Sequence, residues 1–180
     1  SNTENSRYSF ELKYEDEKEL IAVTDKSSGE SFIIPEETFV DESYSIMSIY
    51  PTENYLYYMK GRNSWVSIYR IKLSDMTREE IIKSSDTADK SILGLTFSWS
   101  DTENRFSAVR LFTDEKNIYL IDKNGMVFVL NPFAEKITDC TCIIEESVLG
   151  GCIFDGKAIY YIDEDGVQKM YNVVNKTFRI

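Results

Sequence analysis

The side chains able to do chemistry in this 180-residue chain are few in kind. There is no His, there are three Cys, and 31 Asp and Glu stand against 20 Lys and Arg. Without His there is neither a Ser-His nor a Cys-His pair. A nucleophilic thiol at Cys140, Cys142 or Cys152 needs a cationic neighbour to form thiolate, and the neighbours in sequence are acidic: Asp139, Glu145, Glu146 and Asp155. Paired carboxylates could serve a glycosidase, but so many acids make pairs inevitable and none stands out. Asp163, Glu164, Asp165 and Gly166 open like a calcium loop, yet Val167, Gln168 and Lys169 follow and the closing Glu is missing. A hairpin turn accounts for them. The run Leu149 to Cys152 lacks the third glycine, the Lys and the helix of a phosphate loop. The sequence thus names no catalytic residue, no metal site and no cofactor.

Binding needs no reactive group. Trp65 with Arg62, and Trp99 with Arg105, fall at or near predicted hairpin ends. Aromatic and Arg side chains there make good anchors for a sugar or a peptide. These four are the candidate ligand-binding residues, with core or edge packing as the simpler role for both Trp.

The elements that must position them are visible as a repeat. Lys116 to Asn131, KNIYLIDKNGMVFVLN, recurs 41 positions later as KAIYYIDEDGVQKMYN, Lys157 to Asn172. Seven identities hold at that offset without a gap, including Ile118/Ile159, Tyr119/Tyr160, Asp122/Asp163 and Gly125/Gly166. Each copy is a β-branched and aromatic run, then Asn124-Gly125 or Asp165-Gly166, then a second apolar run. Such dipeptides supply the two positive-φ residues of a type I′ turn, so each copy is expected to be a tight hairpin. Apolar side chains on both faces of the first strand predict that it is covered on both sides. A hairpin alone cannot provide that cover, and units of about 40 residues that need neighbours point to stacked or radial β architecture.

Four units are expected, at about 8–39, 44–82, 92–137 and 140–180, within a single β-repeat domain. In the first, Tyr8, Phe10, Leu12 and Tyr14 alternate and imply one wet face, Glu15 to Lys18 is a charged turn, and Pro35 ends the last strand. In the second, strands run over Ser45–Tyr50, Tyr55–Met59 and Val66–Leu73, with a loop from Lys60 to Ser64. Thr77 to Glu80 fits a capping box, but its context reads as a turn and an outer strand. In the third, Leu93, Leu95, Phe97 and Trp99 alternate before a return at Phe106–Phe112. The fourth begins with a strand near Cys142–Ile144 and ends in an apolar strand, which would pair with something.

Bulk properties narrow the partners. With 42% hydrophobic residues the chain can bury a real core, and 13% aromatics, 12 Tyr among them, suit pleated sheets. A net charge of −11 repels phosphate backbones and anionic headgroups, so nucleic acid is excluded as a partner class. No apolar run approaches the roughly 18 residues of a membrane span. Cys140 and Cys142, about 7 Å apart at Cα in a strand, are too far apart to bridge. Cys152 could reach either, but three small buried thiols is the simpler reading. The opening Ser1-Asn2-Thr3 without Met reads as a processed or trimmed end, and an extracytoplasmic location is slightly favoured over a cytoplasmic one.

An apolar strand, a D-x-x-G turn, a second strand, then N-x-x-x-K and a short outer strand: this order resembles the blades of β-propellers of bacterial secreted and surface proteins. It is carried by Ile118–Asn131 with Glu135, Lys136 and Ile137, by Ile159–Asn172 with Asn175 to Phe178, and more weakly by Leu56–Leu73. The resemblance implies an all-β, propeller-like domain, possibly a partial propeller since four units are few for radial closure. The leading functional expectation is a non-catalytic binding or scaffolding module that recognises a protein, peptide or glycan through its loop rim. A glycan-active enzyme or accessory domain using paired carboxylates is one alternative. A structural or capping subunit, or a homodimer paired through an open sheet edge, is another.

Overall fold

Runs rich in Ile, Val, Tyr and Phe, punctuated by short polar turns, leave strands as the way to satisfy both backbone and side chains. The computed structural model describes residues 3–39, 45–62, 65–82, 108–122, 124–133 and 141–180. Among them it forms fifteen strands in four antiparallel sheets and no helix. The chain divides into two compact units, Ser1–Asp89 and Lys90–Ile180.

In the first unit, β1 (Tyr8–Glu15), β2 (Lys18–Asp25) and β3 (Ser31–Phe39) form the first sheet, and β4 (Ser45–Pro51), β5 (Tyr55–Arg62), β6 (Trp65–Lys72) and β7 (Thr77–Ile82) the second, each in sequence order. Thr3 and Glu4 lie beside β1 through a Glu4–Ser9 bridge and a 2.7 Å hydrogen bond from Phe10 N–H to the Thr3 carbonyl. The first sheet therefore has a stub where the second has β4. The core between the two sheets is built from Tyr8, Phe10, Ile21, Val23 and Ile34 on one side and Ile46, Leu56, Tyr58, Ile71 and Leu73 on the other. Each such burial removes about 1.5–3 kcal/mol of unfavourable apolar exposure. Tyr14, at the far end of the expected alternation, is exposed.

In the second unit, β8 (Ala108–Thr113), β9 (Ile118–Asp122), β10 (Val127–Leu130) and β11 (Thr141–Ile144) form the third sheet, and β12 (Cys152–Phe154), β13 (Ala158–Ile162), β14 (Gln168–Asn172) and β15 (Thr177–Arg179) the fourth. The strand at Cys142–Ile144, expected to open the fourth unit, instead closes the third sheet by pairing with β10. Its apolar residues extend the third core rather than start a new one. The outer strand expected at Glu135–Ile137, and the alternating run Leu93–Trp99, lie outside the described residues.

One turn recurs in every sheet, at the entry to β1, β5, β9 and β13. Asn5 Oδ1 accepts from the N–H groups of Arg7 and Tyr8 at 2.9 and 2.7 Å. Thr52 Oγ1 accepts from Tyr55 N–H, Asp114 Oδ1 from Lys116 and Asn117, and Asp155 Oδ1 from Lys157 and Ala158. A short side chain thus satisfies backbone donors that the sheet has not yet paired. Asp114 and Asp155 are themselves separated by 41 positions, so the repeat begins earlier than its most obvious stretch. Aligning the sheets on these residues places Phe10, Tyr57, Tyr119 and Tyr160 at one position, and Leu12, Met59, Ile121 and Ile162 at another.

Two hairpin ends differ from expectation. The β13–β14 loop is not a two-residue type I′ turn. Asp163 N–H bonds the Val167 carbonyl at 3.0 Å and Gly166 N–H the Asp163 carbonyl at 3.1 Å, with Gly166 alone at positive φ, 80°. That is a three-residue loop closed by a left-handed glycine. The reason is Asp163, whose carboxylate accepts from Asp165 and Val167 N–H and holds the wider loop open. The type I′ turn is found instead at Asp16 and Glu17, φ 50° and 63°, between β1 and β2. In the second sheet, pairing runs through Lys60 and Gly61 to Arg62 opposite Trp65, shortening the loop expected from Lys60 to Ser64.

Candidate functional site

Within the second unit, segment 145–151 connects β11 to β12 and passes between two hairpin ends. Val148 N–H donates to the Gly125 carbonyl of the β9–β10 loop at 3.0 Å, and Ile162 N–H to the Gly151 carbonyl at 3.0 Å. Gly125, at φ 85°, is buried under the segment: a Cβ there would come within 2.9 Å of Leu149 Cγ and 3.0 Å of the Ser147 Cα. Only glycine permits this approach. The segment and the two loops form a rim on which Leu149 and Val167 stand exposed beside Glu145, Glu164 and Asp165.

An ionic cluster braces the rim from below. Lys169 Nζ lies 2.9 and 2.8 Å from the two carboxylate oxygens of Glu146 and 2.9 Å from Asp163 Oδ2. Tyr161 hydroxyl donates to Glu146 Oε1 at 2.7 Å. Three consequences follow for its chemistry. Hydrogen bonds from Lys169, then Tyr161, hold the Glu146 carboxyl below the usual range, and Lys169 followed by Val167 N–H does the same for Asp163. The two carboxylates raise the Lys169 ammonium above its ordinary value. Burial, reinforced by Glu146, raises the Tyr161 phenol. At neutral pH every member is in its resting form, Lys169 charged and Tyr161 protonated, so the cluster holds structure rather than moving protons.

Two hollows adjoin it. One of about 720 Å³ is bordered by Cys142, Ile143, Glu145, Glu146 and Lys169. The other, about 570 Å³, lies against the fourth sheet beside Ile153, Tyr160, Ile162, Gln168 and Met170. Cys142 and Cys152 are free thiols, half-buried rather than buried as expected. Burial raises both, Glu145 adding to it at Cys142, which keeps them protonated and poor nucleophiles. Cys140 lies outside the described residues.

Of the four anchors expected from sequence, Arg62 and Trp65 are brought opposite each other as register partners at the end of β5 and β6. Trp99 and Arg105 lie outside the described residues. The rim residues Leu149, Glu146 and Lys169 were not singled out from sequence. Glu146 and Lys169 are 23 residues apart with no motif joining them, whereas Asp163 carried a signal, its identity with Asp122.

No family model matches the sequence, and no curated protein matches it. Solved structures do. TolB from Acinetobacter baumannii is 16% identical with a TM-score of 0.56, covering 96% of this chain and 40% of that one. A chain of a nidogen/laminin complex is 14% identical with a TM-score of 0.55, covering 97% and 60%. A structural genomics protein of unknown function from Bacteroides thetaiotaomicron is 15% identical with a TM-score of 0.57, covering 96% and 44%. These are β-propeller folds, and this chain is all-β and propeller-like, with four antiparallel sheets of three or four strands. It spans 40 to 60% of the length of those structures.

Proposed function

We propose that this chain is a non-catalytic protein-binding module that takes its partner on the rim formed by the β9–β10 loop, segment 145–151 and the β13–β14 loop. The observation that carries this reading is the bracing of that rim. Glu146, Lys169, Asp163 and Gly125 immobilise a connecting segment whose outward residue, Leu149, is 59% exposed. A rigid apolar tip ringed by acids loses little entropy on binding and suits a protein surface carrying both apolar and basic groups. Net charge of −11 favours the same kind of partner through steering. One of the similar structures is a nidogen/laminin complex, which is in keeping with a protein as partner.

The glycosidase alternative requires a carboxylic acid that keeps its proton. Among the described carboxylates with a resolved shift, Asp25, Glu53, Asp75, Glu146, Asp155 and Asp163, every one is lowered. None of these six therefore supplies the protonated acid that a glycosidase needs.

The test is capture from an extract of the source organism on immobilised chain, comparing wild type with Leu149→Asp and with the double change Glu164→Lys, Asp165→Lys. A bound protein identified by mass spectrometry should lose affinity by about tenfold or more with Leu149→Asp, about 1.4 kcal/mol. Binding should also weaken as salt rises from about 0.05 to 0.5 M. Equal binding by all three chains would remove the rim from the reading.

A further inference from the structure

The third and fourth sheets repeat one another at an offset of 41 residues, and they pack face to face. The face that the third sheet turns to the fourth carries Arg110, Phe112, Tyr119, Ile121 and Val129. Phe112 and Tyr119 stack with ring centres 5.4 Å apart, and Phe154 of β12 seats on both, at 4.8 and 5.2 Å. Arg110 reaches across to the Cys152 carbonyl at 3.3 Å. Covered in this way, Phe112, Tyr119 and Ile121 are 1 to 2% exposed.

Moving each residue forward by 41 gives Gly151, Ile153, Tyr160, Ile162 and Met170, the face of the fourth sheet that points away from the third. Strand register confirms the correspondence: Ile153 pairs with Tyr160 and Tyr160 with Met170, as Phe112 pairs with Tyr119 and Tyr119 with Val129. The residues keep their apolar character, but Ile153 is 69% exposed, Tyr160 45% and Ile162 36%. The 570 Å³ hollow lies on this face, where Gly151 takes the place of Arg110. At the equivalent of Tyr160 in the other sheets, Phe10, Tyr57 and Tyr119 are all buried.

We infer that this face of the fourth sheet is a docking surface for a further sheet of the same repeat, carried on the same polypeptide. Its innermost strand would present an aromatic ring to Ile153 and Tyr160 as Phe154 is presented to Phe112 and Tyr119. The occupant is specified because the matching interface is present one repeat earlier, with its covering element in place. Among the described residues, a second copy of the chain offers no such element. The faces equivalent to the one bearing Phe154 are buried at Leu56, Ile118 and Ile159, while the first sheet has the polar Ser9 and Glu11 at those positions. Sheets within each unit also follow one another directly in sequence, and the similar structures are longer than this chain. A patch of this kind left open is a liability for solubility, which repeat arrays avoid by capping their ends with polar faces.

The experiment compares the 180-residue chain with an extended chain in which residues 145–180, the connecting segment and the fourth sheet, are repeated after Ile180. Binding of the dye ANS reports the open face, circular dichroism the added β structure, and light scattering the mass. The extended chain should be monomeric and gain β signal. Phe154→Ala made only in the added copy should raise ANS fluorescence at least about threefold over the unmodified extension, because the seat at Ile153 and Tyr160 is lost. An added copy that stays unfolded, or that folds with no response to this change, overturns the inference. So does a 180-residue chain that is dimeric and becomes monomeric with Tyr160→Glu, since a second copy would then hold the face.

Discussion

The β9–β10 and β13–β14 hairpins share their loop geometry, their Asp-to-backbone hydrogen bonds and their strand register, yet all five residues of β9 are buried while Tyr160 and Ile162 of β13 are exposed. Their loops differ in the same sense. Gly125 is pressed under segment 145–151, whereas nothing lies within 4 Å of a Cβ placed on Gly166. Local geometry is thus set within the hairpin, and burial is set by which neighbour each copy has. The expectation that both copies are covered on two faces holds for β9 and fails for β13.

The largest test of this difference is truncation of the paired tyrosines. Tyr119→Ala should cost about 3–5 kcal/mol in a denaturant titration, the range for removing a large buried aromatic. Tyr160→Ala should cost under about 1 kcal/mol, as at an exposed site. Equal losses would mean that the exposed face is covered in solution.

The glycines come next. Gly125→Ala combines left-handed strain with a clash against a fixed segment, about 2–4 kcal/mol together. Gly166→Ala carries the strain alone, about 1–2 kcal/mol. If Gly125→Ala is no worse than Gly166→Ala, the segment is not braced as described.

The ionic cluster distinguishes the copies by pH. Glu146 and Asp163 are held below their unfolded values, so their contribution is complete above the ordinary carboxylate range and is lost as pH falls through the folded values. Lys169 is held above its own, so its contribution is complete at neutral pH and lost only as pH rises through the folded value. Lys169→Met should therefore be less stable than wild type by a constant margin from about pH 5 to 9, and the margin should close in acid. A margin unchanged at low pH would reduce Lys169 to a packing role.

The smallest effect lies in the entry turns. Glu115 sits at φ 71° where its counterpart is Gly156 at φ 91°. Glu115→Gly should gain about 0.5 kcal/mol and Gly156→Ala should lose about 1 kcal/mol, measured as shifts in thermal midpoint.

How much of this was legible depends on the range of the interaction. Both hairpins, the outer strand Thr77–Ile82 and the sheet class could be read, because alternation and turn residues act between near neighbours. The loop type could not: Asn-Gly and Asp-Gly favour a type I′ turn, and Asp122 and Asp163, each two positions before the dipeptide, override it. The assignment of Thr141–Ile144 to the third sheet was also out of reach, since a short apolar strand between two sheets carries no mark of which it joins.

The amino-acid order by itself determined the all-β class, the repeat at 41 residues and the absence of a His-based catalytic pair, since each depends on residue type and short spacing. Tertiary structure alone decided that Lys169 meets Glu146 and Asp163, that Gly125 lies beneath Leu149, and that one of two like faces is covered and the other open. These rest on contacts between residues far apart in sequence, where packing, not local preference, selects the partner.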